Sequence, residues 1–113
     1  RRRDIAKMYQ AQIKNHKVRL QHQPEWADSI YHLFVITTEN RDNMIKYLND
    51  HNISPALHYP VPCHLQKAYS HLGYKQGDCP NAEYLAAHCL SLPMYPELTD
   101  QQVSTVVEVI NAY

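Results

Sequence analysis

The sequence is poor in glycine: only Gly73 and Gly77 occur among its 113 residues. Loops that cradle nucleotide phosphates need glycine because the backbone must approach the phosphate closely, and neither a GxGxxG nor a Walker pattern is present. This excludes a phosphate site of those kinds within the segment. Long apolar runs are also missing, since the longest, residues 33–36, falls far short of the ~20 residues that a membrane-spanning helix needs.

The sequence also lacks net charge. Its 11 Lys and Arg residues balance its 11 Asp and Glu residues, so it has no excess of the positive charge that binds nucleic-acid phosphates. The single basic cluster, Arg1-Arg2-Arg3, is too short to be a sustained basic tract, and we interpret it as the solvated start of a helix. We expect neither nucleic acid nor a membrane as a partner.

Cysteine is sparse and odd in number. Three cysteines cannot all pair within one chain, and no charged and then apolar leader precedes a cleavage site. These observations predict a reduced, cytoplasmic setting. The chain begins without Met in the middle of a predicted helix, so we expect it to be a truncated part of a longer protein.

Apolar residues at helical spacing predict a helix at each end of the chain. The last helix begins at Thr99, which forms a capping box with Gln102, and Leu98 and Val103 are spaced as a hydrophobic staple around it. The apolar stripe of the first helix comprises Ile5, Met8, Tyr9 and Ile13, and that of the last helix Val103, Val106, Val107 and Ile110.

Between these helices the pattern predicts a β-α-β element. Residues 18–20 could form a short strand, and residues 30–37 are rich in β-branched and aromatic residues, which predicts a strand covered on both sides. A helix with a stripe of Met44, Ile45 and Leu48 follows, capped by Asn40 and ended by Asn52 in the left-handed conformation. Residues 53–58 would be the second strand, and Pro55, which lacks an amide donor, indicates an edge strand or the beginning of a strand.

Two more helices are predicted in the second half of the chain. The first carries Leu65, Ala68, Tyr69 and Leu72 and stops at Gly73. The second opens at Asp78 or Cys79 with Pro80 in its first turn, and its apolar side comprises Ala82, Leu85, Ala86 and Cys89. The predicted fold class is α/β, of an α+β-like small-domain kind, with a sheet of two to four strands covered by helices.

Eight histidines and three cysteines raise the possibility of a metal site or a nucleophile. Adjacent ligands point apart on a helix or strand, so the spacing disfavours zinc, and we interpret Cys89 as a small buried hydrophobe. A Cys63 nucleophile paired with His58 or His64 is a second alternative, but the sequence marks neither an oxyanion site nor an orienting third group. The candidate metal ligands are Cys63, His64, Cys79, His88 and Cys89.

His58 and Tyr59 differ from the other candidates because two prolines follow them. Pro60 and Pro62 fix backbone angles and restrict the residues before them, so the loop should hold its side chains in a defined direction. A stiff loop that carries an imidazole and a phenol can bind a polyhydroxylated ligand. The alternative from these residues alone is that Tyr59 packs in the core and His58 hydrogen-bonds there.

Two segments, HYPVPCHLQKAY at residues 58–69 and LPMYPELT at residues 92–99, resemble the end of the DegT/DnrJ/EryC1/StrS-type sugar aminotransferases, a family of pyridoxal-phosphate (PLP) enzymes. The family usually has Gly before Ile where this chain has Asn52, which the left-handed tolerance of Asn explains. Four further segments are similar to the family in the same order: RRRDIAKMY at 1–9, YHLFVI at 31–36, RDNMIKYL at 41–48 and GYKQGDCPNAE at 73–83.

The resemblance implies that residues 1–113 are the small C-terminal domain of a fold type I PLP enzyme, which folds back over the active-site cleft. The whole enzyme would be a homodimer that transfers an amino group, usually from glutamate, to a nucleotide-linked keto-deoxysugar. The groups that hold PLP would lie in an absent large domain, so we expect no catalytic, cofactor-binding or metal residue here. The resemblance places substrate binding at His58, then Tyr59, His64 and His32.

A chain without the Schiff-base lysine and the pyridinium partner cannot catalyse transamination, so we predict that it shows no PLP absorbance and no turnover alone. Three alternatives stay open from the sequence. They are a PLP-dependent sugar dehydratase of the same family, a binding module without chemistry, and a metal-binding domain.

Overall fold

Three strands form one antiparallel sheet in the order β1-β2-β3 in the computed structural model, which describes residues 1–113. The strands are β1 (Arg19–Leu20), β2 (Phe34–Thr37) and β3 (Cys89–Leu92). The α-helices are α1 (Arg2–Gln12), α2 (Arg41–Asp50), α3 (Pro80–His88) and α4 (Asp100–Ala112), and two 3₁₀ helices span Cys63–Leu65 and Lys67–Leu72. The predicted class, a small sheet with helices, is confirmed. None of the helices has both the length and the apolar character needed to cross a membrane.

One face of the sheet carries the core. Phe34 lies opposite Leu92 and Ile36 opposite Leu90, and all four are buried, as expected for alternate residues that point to one side of a strand. Helices α1, α2 and α4 bury their apolar stripes in the same cluster. From the helices these residues are Ile5, Tyr9, Met44, Leu48, Val103, Val106, Val107 and Ile110.

The predicted β-α-β element is wrong because β3 lies between the two segments that were expected to pair. The segment 53–58 makes a single antiparallel bridge, Ala56 with Ser91 of β3, and Pro55 beside it has no amide to extend the ladder. The strand predicted at 30–37 begins only at Phe34, because Tyr31 turns the chain at φ 48° and leaves Ile30 68% exposed.

Both terminal helices are confirmed. Ile5 and Tyr9 of α1 are buried, as is Ile13 directly after the helix. At the start of α4 the Gln102 amide donates to Thr99 Oγ1 at 3.2 Å and the Thr99 amide donates to Gln102 Oε1 at 2.9 Å, which is the predicted capping box.

Two cap predictions and the placement of Cys89 need correction. Asn40 stands at the N-cap of α2 without a side-chain cap hydrogen bond, although Asn52 does adopt the predicted left-handed conformation at φ 60°. Neither Asp78 nor Cys79 caps α3 with its side chain. Cys89 is buried as expected, but in β3 rather than on a helix.

The helix predicted over residues 65–72 is replaced by two 3₁₀ turns. Gln66 is extended between them, with φ −71° and ψ 141°, so the apolar side chains no longer share one covered stripe. Leu65, Tyr69 and Leu72 are exposed, while Gly73 ends the segment at φ 79° as predicted.

The three N-terminal arginines start α1 as predicted, and Arg1 and Arg3 are exposed, but each of the three also binds a different part of the chain. Arg1 donates to the Leu98 carbonyl at 2.6 Å, and Arg2 donates to the Met94 carbonyl at 2.8 Å and the His32 carbonyl at 3.0 Å. A guanidinium has five N–H donors, so it can satisfy several carbonyls that no strand pairs.

We predict that Arg2→Met lowers the free energy of unfolding by about 1.5–3 kcal/mol, the usual range for hydrogen bonds to a charged group. The matched control is Arg3→Met, because Arg3 is more exposed and its pair with Asp28 at 2.8 Å lies at the surface. That control should cost less than about 1 kcal/mol. Urea denaturation of both variants tests the difference, and equal losses would contradict it.

Candidate functional site

The second face of the sheet bears a pocket instead of a core. Val35 lies opposite Ser91 and Thr37 opposite Cys89, so these four side chains point away from the apolar cluster. The prediction that β2 is covered on both sides therefore holds for one side, while Val35 and Thr37 are only half-buried. The pocket has a volume of about 500 Å³ and is lined by Arg19, Leu20, Gln21, Val35, Thr37, His58, Leu85 and Cys89.

His58 reaches this pocket because β3 holds the segment before it. The Ala56 amide donates to the Ser91 carbonyl at 3.0 Å, and the Ser91 amide donates to the Ala56 carbonyl at 2.8 Å. His58 follows Ala56 by two residues, and its Nδ1 lies 3.0 Å from Ser91 Oγ. The Cys89 thiol points at the His58 carbonyl with a separation of 3.8 Å. The imidazole is thus placed by one strand, and its Nε2 has no hydrogen-bond partner in the chain.

Tyr59 lies beside His58 but outside the core. Its ring centroid is 5.5 Å from that of His58 in an edge-to-face arrangement, and 71% of the residue is exposed. The alternative in which Tyr59 packs in the core is wrong. The peptide bond between the two residues is cis.

His64 belongs to a second cluster, centred on Glu83 of α3. Glu83 Oε1 accepts from the Gly77 amide at 2.8 Å and lies 3.0 Å from His64 Nε2, and the Cys79 amide donates to the same oxygen at 3.3 Å. The His64 side chain is 8% exposed. Glu83 therefore joins the 3₁₀ segment to the start of α3, which is the capping role that Asp78 and Cys79 do not fill.

The hydrogen bonds at Glu83 set its charge state. Burial on its own raises the pKa of the carboxyl group, but donation from the Gly77 amide, from His64 and from the Cys79 amide lowers the pKa below its ordinary value of 4.5. A lowered pKa in the folded state means that the ionised form stabilises the fold above pH 4.5 and that this stabilisation is lost as the pH falls below it.

We predict that Glu83→Gln flattens the acid limb of the stability profile. The variant carries no titrating group at this position, so its urea midpoint should fall less than that of the wild type between about pH 6 and pH 3. The Gly77 and Cys79 amides should also exchange faster in the variant. Asp42→Gln is the control, because Asp42 is exposed and pairs only with Arg41. The interpretation would be wrong if the two variants gave the same acid limb.

The structure brings His58 and Tyr59 together but not the other two predicted site residues. His64 pairs with Glu83 in the separate cluster described above. His32 is exposed at the turn before β2, where its carbonyl, not its imidazole, accepts a hydrogen bond from Arg2.

The structure shows no arrangement of side chains that supports the Cys63 nucleophile or the metal site. Cys63 is exposed, and the imidazoles proposed as its base are bonded elsewhere, His58 to Ser91 and His64 to Glu83. No group of three His, Cys, Asp or Glu side chains could hold a metal ion.

The residues of the pocket do not fit PLP. A PLP site needs a lysine for the Schiff base and a partner for the pyridine nitrogen, and the pocket is lined by neither a lysine nor a carboxylate. All six lysines of the chain are exposed. We therefore derive no chemical step through the cofactor from these residues.

Sequence reasoning missed Ser91, Arg19 and Glu83. Ser91 could have been found if β3 had been recognised as a strand, since the alternation in Cys89-Leu90-Ser91-Leu92 puts Cys89 and Ser91 on one face. Glu83 is the fourth helical residue after Cys79 and lies in the first turn of α3, where a carboxylate can reach back to free amides. No local pattern brings Arg19 to the pocket.

A structural match defines the class of this domain. The chain superposes on S. venezuelae DesV, solved in complex with a ketimine intermediate, with a TM-score of 0.95 and 33% identity over 99% of this chain and 30% of that one. The fold is the one found in part of the fold type I PLP aminotransferases.

The family follows from the sequence match. Residues 1–111 match the model of the DegT/DnrJ/EryC1/StrS aminotransferase family, and the chain belongs to that family. It is 40% identical to the erythromycin biosynthesis sensory transduction protein EryC1 of Saccharopolyspora erythraea, over 99% of this chain and 31% of that protein. It is 37% identical to the dTDP-3-amino-3,6-dideoxy-alpha-D-galactopyranose transaminase of Aneurinibacillus thermoaerophilus, over 100% of this chain and 31% of the transaminase. The chain thus spans about a third of the length of these relatives.

Proposed function

We propose that this chain is the small C-terminal domain of a PLP-dependent aminotransferase that transfers an amino group from glutamate to a nucleotide-linked keto-deoxysugar. The observation that carries the proposal is the superposition of nearly the whole chain on less than a third of DesV. The absence of a lysine and a carboxylate from the pocket is consistent with a cofactor held by other parts of a longer protein.

In this proposal the chain supplies sugar contacts rather than the chemistry of the cofactor. His58 offers a nitrogen at the pocket beside the hydroxyl of Thr37 and the amide of Gln21, which are groups suited to the hydroxyl and carbonyl oxygens of a sugar. The exposed Tyr59 next to it can present an apolar ring face and a hydroxyl. His64 and His32 do not line this pocket, and a contact of either residue with the sugar stays a prediction. The cytoplasmic setting and the homodimer stay predictions.

A chimera tests the proposal. This chain would replace the matching third of the Aneurinibacillus transaminase, and the purified chimera would be assayed for the transaminase reaction of its host. We expect PLP absorbance and turnover from the chimera and neither from the 113-residue chain alone.

The control chimera has the same junction but carries the matching part of DesV. Turnover or PLP absorbance by the isolated chain would contradict the proposal. So would a chimera that folds and binds PLP but does not turn over while the DesV control does.

A further inference from the structure

Ser91 is a buried polar residue whose hydroxyl has a single partner. The residue is 3% exposed and is one of only two buried polar residues in the chain, the other being Thr38. Its Oγ lies 3.0 Å from His58 Nδ1, and its backbone is occupied on both sides by the bridge to Ala56. The cross-strand neighbour of Ser91 is Val35, whose side chain offers no acceptor.

The donors and acceptors of this pair can be matched in only one way. A neutral imidazole has one protonated nitrogen and one acceptor nitrogen, while a serine hydroxyl has one proton to donate. If Nδ1 carried the proton, the buried hydroxyl proton of Ser91 would have no acceptor. If Ser91 donates to Nδ1, both groups are satisfied, as buried polar groups in folded proteins usually are.

We infer that Ser91 is a positioning residue that holds His58 as the Nε2–H tautomer. The atom of the ligand that His58 selects is then an oxygen that accepts a hydrogen bond. Nε2 is the imidazole nitrogen without a partner in the chain, and His58 lines the pocket. A carbonyl, hydroxyl or phosphate oxygen of a sugar nucleotide meets this requirement. The statement about the ligand rests on the proposed function, whereas the statement about the tautomer does not.

Nuclear magnetic resonance of the 113-residue chain tests the tautomer. With ¹⁵N-labelled histidine at a pH where the imidazole is neutral, two-bond ¹H–¹⁵N correlations report each ring nitrogen. We expect His58 to show a protonated-type Nε2 and a hydrogen-bonded acceptor-type Nδ1. A protonated-type Nδ1 in the wild type would overturn the inference, and this result needs no variant.

Two substitutions test whether Ser91 is the cause. In Ser91→Ala the Nδ1 signal should move to the position of an unbonded acceptor nitrogen, and in Ser91→Thr, which keeps the hydroxyl, it should return towards the wild-type position. An unchanged Nδ1 signal in a folded Ser91→Ala chain would overturn the positioning role.

The chimera tests the ligand separately. Ser91→Ala should raise KM for the keto-sugar by about 3- to 10-fold, and it should add no further loss when His58 is already alanine. An equal loss in both backgrounds would show a merely structural role. An inactive chimera would count against the proposed function and leave the tautomer result unaffected.

Discussion

Replacement of Tyr9 by alanine is expected to lower the free energy of unfolding by about 3–5 kcal/mol, the usual cost of removing a large aromatic side chain from a core. Tyr9 is 0% exposed. Its ring lies 4.9 Å from that of Phe34, and its hydroxyl donates to the Pro93 carbonyl at 3.0 Å. The residue therefore joins α1 to β2 and to the chain that follows β3.

Two variants separate the ring of Tyr9 from its hydroxyl. Burial, with a smaller contribution from Tyr95, raises the pKa of Tyr9 well above its ordinary value, so the hydroxyl stays protonated as a donor. Tyr9→Phe removes that donor alone and should cost about 1 kcal/mol. Tyr9→Ala removes the ring as well and leaves a cavity between α1 and the sheet.

The matched control is Tyr59→Ala, which deletes the same side chain from a residue that is 71% exposed. It should change the stability by no more than about 0.5 kcal/mol. Urea denaturation of all three variants gives the comparison, with one common slope for the dependence of the free energy of unfolding on urea concentration. A loss of less than about 1.5 kcal/mol for Tyr9→Ala would show that the core can close around the missing ring.

Local signals predicted the terminal helices well because their causes lie within a few residues. The capping box of α4 needs only Thr99 and Gln102, and the left-handed turn after α2 needs only Asn52. The burial of the apolar stripe in α4 also followed from spacing alone, since residues three and four apart share one helix face.

Long-range contacts explain what the sequence did not reveal. Residues 53–58 make only the bridge from Ala56 to Ser91, and β3, more than thirty residues later in the chain, occupies the place beside β2. The arginine cluster is likewise defined by distant carbonyls, such as that of Met94 at Arg2. A cationic run gives no local indication of which backbone acceptors lie within its reach.

The candidate site was only half predictable for the same reason. His58 and Tyr59 were found from a proline-rich motif and a resemblance, both of which are local. Ser91 orients His58, and it approaches His58 only through its bridge with Ala56. Because Cys89 also fits the apolar side of the preceding helix, the two-residue period of Cys89-Leu90-Ser91-Leu92 did not predict a strand.

His58→Ala in the chimera is expected to lower kcat/KM for the keto-sugar by about 10- to 100-fold. The variant removes the Nε2 donor that we assign to a sugar oxygen, and it also leaves Ser91 Oγ without its partner. The expected fall in kcat/KM is the one that follows the loss of one buried hydrogen-bonded group. The effect should be confined to the half-reaction with the sugar. The half-reaction with glutamate should change by less than about 3-fold, because we assign His58 to the sugar and not to glutamate.

The control for this prediction is His16→Ala, since His16 is exposed and its imidazole has no hydrogen-bond partner in the chain. It should leave both half-reactions within about 2-fold of the unmodified chimera. Equal losses for His58→Ala in the sugar and glutamate half-reactions would indicate damage to the shared catalytic site instead of a lost sugar contact. Equal effects of the His58 and His16 substitutions on the sugar would contradict the placement of the sugar at this pocket.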